Sequence, residues 1–274
     1  MFMKTKNKQK ITIGIFGFGN MGKAIFKLLK NSPQFKDSVD FLIFDAKPVK
    51  AVKNTQSVKI LLKKSQLVFL CVKPQDFYKL NSFKNNQPAK TILISIMAGV
   101  KMANIKKIFF GFRVIRTMPN LALQVGQGVV GWHFDKNKFS PAEHELLEQI
   151  FSLFGLSLYL PNEKMIDSLT AVAGSGPAYI FLFADVLIKA ARKLSFSQID
   201  AEKIVMQTII GSIIYARSLG RPNFNQLIKM VQSPGGTTQA AFNSLNISAM
   251  YQAWQKALTQ AYRRAQEISD YDIK

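Results

Sequence analysis

Up to Pro161, short apolar runs alternate with segments whose apolar positions recur at helical spacing. Runs of this length and composition predict strands buried on both faces, and they lie at 11–16, 39–44, 67–72, 91–96, 113–117, 128–133 and 156–160. The helical spacing predicts helices at 21–29, 57–64 and 140–154, the last opened by a capping-box pattern at Ser140 and Glu143. Strands that alternate with helices predict an α/β fold with a doubly wound parallel sheet.

After Pro161 the strand pattern stops and long helical periods follow. They predict helices at 163–173, 177–194, 198–218, 224–231, 237–245 and 247–269. We therefore expect two domains, an N-terminal sheet domain over 1–161 and an all-helical domain over 162–274. Because the predicted helices have wide apolar faces, we expect a second copy of the chain to cover part of them.

The composition is that of a soluble protein with a proper core, with 48% hydrophobic residues over 274 positions. Cys71 is the single cysteine, so an internal disulfide and a cysteine zinc site are both excluded. The basic start of the chain lacks the longer apolar stretch and cleavage site of a secretion signal. Counting uncharged apolar residues finds no stretch of the roughly 18 that a membrane span requires. We expect a cytoplasmic protein without a membrane segment.

Positive charge is concentrated in the first 110 residues, where 21 Lys and no Arg face four acidic residues, a net charge of +17. Such a surface can steer anionic ligands or bind nucleic acid. Arg is the preferred residue for bidentate recognition of phosphates and bases, however, and this half has none. A compositional bias toward lysine is the favoured interpretation, and a nucleic-acid partner is not expected.

A glycine-rich turn stands between the first predicted strand and the first helix, with the sequence Gly17-Phe18-Gly19-Asn20-Met21-Gly22. Its first glycine suits a tight turn, its second a close approach of the backbone to a pyrophosphate, and its third close helix–strand packing. The helix start then offers free N–H groups to the phosphates. Because the motif has this strand–turn–helix context, it predicts a Rossmann unit that binds NADH or NADPH.

Two further positions near strand ends are candidates for cofactor contact. Asp45 follows the second strand, where an acidic residue commonly accepts the ribose hydroxyls and favours NAD, whereas Lys47 and Lys50 favour the 2′-phosphate of NADP. A solvated charge in a turn is the alternative for Asp45. The segment Val72-Lys73-Pro74 follows the third strand, at the sheet edge where ligands bind, and Lys73 could contact ribose or phosphate or be simply solvated.

Two turns that open helices in the second half are candidates for binding a small carboxylate: Gly174-Ser175-Gly176-Pro177-Ala178 and Ser233-Pro234-Gly235-Gly236-Thr237-Thr238. Each supplies backbone N–H groups and hydroxyls, although either could be an ordinary interhelical turn. The chain lacks a His or Cys arrangement for nucleophilic or metal chemistry and a carboxylate pair for hydrolysis. The reaction chemistry is therefore expected to come from the cofactor.

Taken in order, the motifs of this chain resemble those of the pyrroline-5-carboxylate reductase family over 11–267. They are Gly17-Phe-Gly-Asn-Met-Gly22, Phe69-Leu-Cys-Val-Lys-Pro-Gln75, Ser95-Ile-Met-Ala-Gly-Val100, Arg116-Thr-Met-Pro-Asn120 with Val125-Gly126, Gly174-Ser-Gly-Pro-Ala-Tyr179, Gln207-Thr208 with Gly211, and Ser233-Pro-Gly-Gly-Thr-Thr238. The last of these is the most specific.

The resemblance implies reduction of L-1-pyrroline-5-carboxylate to L-proline with NADH or NADPH. It implies an N-terminal Rossmann domain and a C-terminal helical domain that forms a homodimer, with decamers in many members. By motif, Thr238 and Ser175 would be the catalytic residues, and substrate binding would fall to Ser233, Gly235, Gly236, Thr237 and Thr238. Val72-Lys73-Pro74 and Met97-Ala98-Gly99 would contact the ribose and the nicotinamide.

Three features depart from the family pattern. Leu121-Ala122-Leu123 replaces the usual Thr-Pro-Ala, Lys229 replaces the usual Asp, and the segment from Asp45 to Leu67 is shorter than usual. The changed Leu121 segment leaves an alternative open, a non-catalytic relative that binds a dinucleotide and acts through a partner. A cyclic imine accepts hydride readily when protonated, so the absence of an acid–base pair favours this family over hydroxyacid dehydrogenases, which usually need a Lys or His as proton donor.

Overall fold

A computed structural model describes residues 10–270 except 48, 51, 56 and 81–90. The described residues form two compact units. The first contains residues up to Ser175 together with those from Gln260 onward, and the second is Gly176–Thr259. Residues 1–9, the basic start of the chain in which no secretion signal is expected, lie outside the described part. The domain boundary expected after Pro161 stays a prediction.

A seven-stranded sheet forms the centre of the first unit, in the order β2-β1-β3-β4-β5-β6-β7. Its strands are β1 (Ile11–Phe16), β2 (Val39–Phe44), β3 (Leu67–Leu70), β4 (Ile92–Ser95), β5 (Arg113–Pro119), β6 (Gly128–His133) and β7 (Gly155–Tyr159). All neighbouring strands are parallel except β5 and β6. The α/β fold expected from the alternating pattern is confirmed.

Helices cover both faces of this sheet. They are α1 (Asn20–Asn31), α2 (Val58–Lys64), α3 (Pro74–Phe77), α4 (Met102–Ile108), α5 (Pro141–Ser152) and α6 (Lys164–Leu169), with short helical turns at Leu121–Val125, Lys136–Lys138 and Thr170–Gly174. One core cluster contains Ile25 and Leu29 of α1, and a second contains Ile105 and Ile108 of α4. The strands β3 and β4 are buried throughout because both clusters pack against them.

Two details of the sheet differ from the sequence-based expectation. The strand pair β5 and β6 is antiparallel, because the link 120–127 between them is too short for the crossover that parallel strands require. The helix α4 was not predicted, because its N-cap residue is Lys101, which offers no capping side chain, whereas the equally short α2 follows Ser57, whose hydroxyl caps it. The capping box of α5 is confirmed, since the Glu143 N–H donates to Ser140 Oγ and the Ser140 N–H donates to Glu143.

The second unit consists of helices. They are α7 (Gly176–Lys193), α8 (Gln198–Ser218), α9 (Phe224–Val231), α10 (Thr237–Ser244) and α11 (Ile247–Ser269), whose last turns belong to the first unit. These bounds lie within one residue of the predicted ones. Large apolar side chains on α7 and α8 are exposed in the single chain, among them Phe181, Phe183 and Val186 on α7 and Ile210 and Ile214 on α8.

One described stretch, Lys164–Lys193, is long and apolar enough by length and composition alone to cross a membrane. Only 6% of its most apolar window is buried within the single chain. The count of consecutive uncharged apolar residues did not identify this stretch, because charged residues such as Asp185 interrupt it. A lone stretch of this kind is weak support for a membrane span, since an apolar surface covered by another protein chain has the same composition.

Candidate functional site

The glycine-rich turn lies between β1 and the N-terminus of α1. Gly17 has φ +94°, and a Cβ there would lie 2.8 Å from the Cys71 backbone, so only glycine permits this turn. A Cβ at Gly22 would overlap the carbonyl oxygen of Gly17. A Cβ at Gly19 would meet nothing within 4 Å. The turn is therefore packed on its inner side and open at Gly19.

The N-terminus of α1 offers uncapped backbone donors beside this opening. Gly19 is the N-cap residue and makes no side-chain cap, and the first turn, from Asn20, contains no acidic residue. Free N–H groups together with the helix dipole favour an anion at this point. The open space at Gly19 and the uncapped helix start fit the pyrophosphate of a dinucleotide.

Asp45 lies against the glycine-rich turn. Its carboxylate accepts a hydrogen bond of 2.5 Å from the Phe18 N–H and one of 3.0 Å from the Lys47 N–H. These two bonds fix the orientation of a negative charge just after β2. The solvated-turn alternative for Asp45 is weakened, because a carboxylate with two backbone partners is an ordered part of the turn.

The segment after β3 also adjoins the turn. The backbone nitrogen of Val72 would lie 2.9 Å from a Cβ at Gly17. Lys73 is the N-cap residue of α3, with Pro74 in its first turn, and the Lys73 side chain is exposed. Cys71 packs against the core, where burial raises the pKa of its thiol well above the ordinary value, so it is a neutral side chain rather than a nucleophile.

The loop after β4 contains Met97, Ala98 and Gly99. Met97 is buried, and its N–H donates 3.3 Å to Ser95 Oγ at the end of β4. Gly99 has φ +72°. Because β1 to β4 are parallel neighbours, the glycine-rich turn, Asp45, the 72–74 segment and this loop all follow strand ends at one edge of the sheet. The structure thus brings the predicted cofactor residues together.

The Ser233–Thr238 turn, in the second unit, opens α10. Gly235 has φ +71°, and its N–H donates 2.6 Å to Gln239 Oε1, while the Gly236 N–H donates 3.0 Å to the Ser233 carbonyl. Gly236 is the N-cap residue of α10 and provides no side-chain cap. The helix start therefore presents the N–H groups of Thr237 and Thr238, together with the Thr238 hydroxyl, to a ligand. The sequence reasoning did not identify Gln239.

Ser175 ends the helical turn Thr170–Gly174, which has π-helical hydrogen bonding. The Ser175 N–H donates 2.9 Å to the Thr170 carbonyl. A Cβ at Gly174 would lie 2.7 Å from Met118 Cε, so glycine allows the turn to approach the end of β5. Single π-helical turns are frequent at functional sites.

Arg116 of β5 forms a buried ionic cluster to which the sequence reasoning assigned no role. Its guanidinium is 1% exposed and lies 2.7 Å from Asp167 Oδ1 and 3.3 Å from Glu163 Oε1. The Arg116 Nη2 also donates 3.0 Å to Ser269 Oγ. The available signal was a charged residue in the interior of a predicted strand, because a buried charge requires a partner.

The structure accounts for two of the three departures from the family pattern. Leu121–Val125 forms a short 3-10 helix in which Leu123 is buried and Leu121 is exposed. After Asp45, the described residues up to Ser57 contain no helix, and Asn54 pairs with Ile43 at the sheet edge instead. Lys229 is exposed on α9, and nothing in the structure explains its replacement of the usual acid.

Among the described residues, no group of three or more His, Cys, Asp or Glu side chains is placed to bind a metal ion. The described residues form a dinucleotide-binding fold, and the start of α10 has no side-chain cap. The fold and the glycine-rich turn define the chain as an oxidoreductase that uses NAD(P)H.

Comparisons with known proteins identify the family. Residues 163–268 match the model described as pyrroline-5-carboxylate reductase dimerisation, and residues 12–99 match that of NADP oxidoreductase, coenzyme F420-dependent. Pyrroline-5-carboxylate reductase of Aquifex aeolicus is 35% identical over 234 residues, which are 82% of this chain and 85% of the relative. That of Staphylococcus saprophyticus is 31% identical over 94% of this chain and 97% of the relative. The chain belongs to the pyrroline-5-carboxylate reductase family.

Solved structures agree with this assignment. Plasmodium falciparum pyrroline carboxylate reductase with NADP bound superposes with a TM-score of 0.83 at 26% identity, covering 96% of this chain and all of the other. The Coxiella burnetii pyrroline-5-carboxylate reductase gives a TM-score of 0.81 at 28% identity, covering 94% and 98%. The predicted fold, with an N-terminal dinucleotide-binding part and a helical C-terminal part, is thereby confirmed.

Proposed function

We propose that this chain reduces L-1-pyrroline-5-carboxylate to L-proline, the last step of proline biosynthesis. Relatives of similar length that are named for this reaction support the proposal. The observation that carries it is the Ser233–Thr238 turn, whose uncapped helix start suits a substrate carboxylate. In the first unit, the uncapped N-terminus of α1 and the open space at Gly19 suit NADH or NADPH.

The cofactor residues of this proposal are those at the sheet edge. Gly17, Phe18, Gly19, Asn20, Met21 and Gly22 would bind the pyrophosphate, Asp45 the adenosine ribose, and Val72, Lys73, Pro74, Met97, Ala98 and Gly99 the ribose and nicotinamide side. When bound, the dinucleotide supplies a hydride. The protein positions the acceptor carbon and excludes water, and these effects can account for much of the barrier reduction.

In this proposal, backbone N–H groups bind the substrate carboxylate and the Thr238 hydroxyl orients the ring nitrogen. The N–H groups around Gly236, Thr237 and Thr238 would bind the carboxylate, with Ser233 and Gly235 shaping the turn. The Thr238 hydroxyl would accept a hydrogen bond from the protonated ring nitrogen, and Ser175 would line the pocket. When C5 receives the hydride, the C=N electron pair would return to the ring nitrogen, which would keep the proton that Thr238 orients. No separate acid is therefore needed for this step.

We infer that the working protein is a homodimer in the cytoplasm. The match of 163–268 to a dimerisation model and the exposed apolar faces of α7 and α8 support the dimer. Assembly of dimers into a decamer, which the family resemblance implies, belongs to the same proposal. A cytoplasmic location suits an enzyme that draws on soluble NADH or NADPH. We propose no membrane partner and no nucleic-acid partner.

A paired assay tests the reaction and the cofactor together. Purified protein is supplied with pyrroline-5-carboxylate and with either NADH or NADPH, and proline formation is measured alongside dinucleotide oxidation. We expect equal amounts of proline and oxidised dinucleotide. Binding of dinucleotide without proline formation would overturn the proposal in favour of the non-catalytic relative. The matched control is the same mixture without the imine.

A further inference from the structure

The last described turn of α11 contacts the loop that follows β4. We call this segment, Ile268, Ser269 and Asp270, the C-terminal turn. The Ile268 side chain packs so closely against Gly99 that a Cβ at Gly99 would overlap it. The Asp270 carboxylate lies 2.5 Å from Lys101 Nζ. Both contacts fall on the 96–101 loop, and all of these residues belong to the first unit.

The same turn also reaches the buried Arg116 cluster. Ser269 Oγ accepts from Arg116 Nη2 at 3.0 Å and donates to Asp167 Oδ1 at 2.6 Å. Ser269 is 1% exposed, so these bonds form away from competing water. The hydroxyl thus bridges both partners of a buried ion pair that belongs to other parts of the chain.

Arg116 connects this cluster to the far end of the loop. Its Nη1 lies 3.3 Å from Glu163 Oε1, and the same carboxylate oxygen accepts a 2.7 Å hydrogen bond from the Met102 N–H. Met102 is the first residue of α4 and directly follows the 96–101 loop. One buried guanidinium is therefore linked to the C-terminal turn and to the end of the loop.

The near end of the loop is fixed by the sheet. Thr117 Oγ1 donates 2.9 Å to the Ser95 carbonyl, and Ser95 Oγ accepts from the Met97 N–H. Thr117 neighbours Arg116 in β5, so the contacts at both ends of the loop depend on this one strand. The second half of the loop contacts the C-terminal turn, through Gly99 and Lys101.

We propose that the C-terminal turn is a positioning element for the Met97–Gly99 loop and therefore for the nicotinamide end of the cofactor. The proposal rests on the proposed function, which assigns that loop to the cofactor. Ile268, Ser269 and Asp270 act through the loop and contact no reacting atom. Positioning of this kind matters because a displacement of about 1 Å at a reacting centre can cost on the order of a hundredfold in rate.

Three single substitutions remove the three contacts separately: Ile268→Ala, Ser269→Ala and Asp270→Asn. Glu267→Gln is the matched control. Glu267 is exposed, directly precedes the C-terminal turn, and forms its ion pair with Arg264 of the same helix. Asp270→Glu retains a carboxylate for Lys101 and serves as the rescue variant. Each protein is examined by hydrogen exchange of residues 96–101, by NADH binding from fluorescence, and by steady-state kinetics.

We expect faster exchange at 96–101 with unchanged exchange in β1 and β3, several-fold weaker NADH binding, and a fall in kcat of about tenfold. The control and the rescue variant should match the wild type. A variant that melts earlier but keeps loop exchange, NADH affinity and kcat would overturn the proposal and leave a purely structural role.

Two further outcomes are decisive. If Ser269→Ala does not fold, the exposed Asp270→Asn still tests the loop, and unchanged exchange there contradicts the proposal. If the wild-type protein fails to reduce pyrroline-5-carboxylate, the proposed function fails. Loop exchange and NADH affinity then decide separately whether the C-terminal turn positions the loop.

Discussion

Thr238 lies in the first turn of α10, next to backbone donors that no side chain caps. Its side chain is half-buried. A hydroxyl in this position can orient a ring nitrogen without removing its proton, which is the requirement for an iminium that accepts hydride. The sequence motif identified Thr238 as a candidate. The structure adds that Thr238 lies in the first turn of a helix whose N-cap residue is Gly236.

Replacing Thr238 by Ala should lower kcat by about ten- to a hundredfold, because one oriented hydrogen bond at a reacting centre contributes on that order. NADH affinity should not change. Thr238→Ser keeps the hydroxyl and is expected to retain most activity, so it separates the hydroxyl from packing. Steady-state kinetics and fluorescence binding check this, and a loss of NADH affinity in Thr238→Ala would contradict the assignment.

Asp45 governs the expected cofactor preference. Its carboxylate is fixed by the N–H groups of Phe18 and Lys47, so a 2′-phosphate would meet an oriented negative charge. We therefore expect NADH to bind more tightly than NADPH. Asp45→Asn keeps a hydrogen-bond acceptor for Phe18 and should tighten NADPH binding about tenfold, whereas NADH binding should weaken because the ribose hydroxyls lose a charged acceptor.

Lysine variants provide the control for this preference. Lys47→Gln and Lys50→Gln remove the positive charges near Asp45 and should weaken NADPH alone. Titration of the wild type and the three variants with both dinucleotides, followed by fluorescence, measures all eight affinities under one condition. A wild-type protein that prefers NADPH, together with an Asp45→Asn variant that leaves the preference unchanged, would show that Asp45 does not set it.

At the scale of elements, helix α5 is defined by its first turn. Burial acts to raise the pKa of Glu143, but hydrogen bonds from the Ser140 backbone and from Arg113 outweigh it, so the pKa lies below its ordinary value. Arg113 Nη1 lies 2.7 Å from Glu143 Oε1 and thereby connects α5 to β5. The carboxylate therefore stabilises both the helix start and its attachment to the sheet.

The lowered pKa gives Glu143→Gln a pH-dependent effect. The Glu143 contribution to the free energy of unfolding is present above its unfolded pKa of about 4.3 and is lost as the pH falls through the lower folded value. Glu143→Gln should therefore be less stable than wild type at pH 7, and the difference should shrink toward pH 3. Urea unfolding across this range measures it.

Glu145→Gln is the control on the same helix, since Glu145 is exposed and bonds only Gln149 in the contacts described for it. It should follow the wild type at every pH. Removal of the cap itself, by Ser140→Ala, should cost about 1 kcal/mol in the free energy of unfolding. A Glu143→Gln difference that is constant with pH would show that the charge is not responsible.

The predictable elements are those whose signal is local. Strand β1 and helix α9 were predicted with the bounds that the structure shows, because apolar runs and periods are read within a few residues. Helix α4 was missed, since Lys101 before it gives no capping signal, whereas the equally short α2 follows Ser57. The antiparallel β5–β6 pair and the bonds between Arg116 and Ser269 depend on partners that no local pattern indicates.

At the scale of the whole molecule, the apolar side chains of α7 and α8 imply a second chain. Phe183 is 52% exposed and Val186 is 55% exposed in the single chain, although both are large and apolar. Burying such faces between two copies is favourable at about 25 cal/mol for each Å² removed from water. The same apolar surface explains why Lys164–Lys193 has the length and composition of a membrane span.

We expect sedimentation to give twice the chain mass of 30.8 kDa, or ten times that mass if dimers assemble further. Val186→Asp introduces a charge into the apolar face of α7 and should shift the mass toward one chain at micromolar concentration. Lys189→Gln changes the polar side of the same helix, where Lys189 pairs with Asp185, and should not. An unchanged mass for Val186→Asp would place the interface elsewhere.

The buried Arg116 cluster also has a consequence for biosynthesis. Arg116 leaves the ribosome 153 residues before Ser269, a delay of roughly 8 to 30 s at about 5–20 residues per second. During that time β5 contains a guanidinium whose hydroxyl partner does not yet exist. The sheet of the first unit should therefore gain its final protection only after Ser269 has left the ribosome, which hydrogen exchange on stalled chains of increasing length would measure.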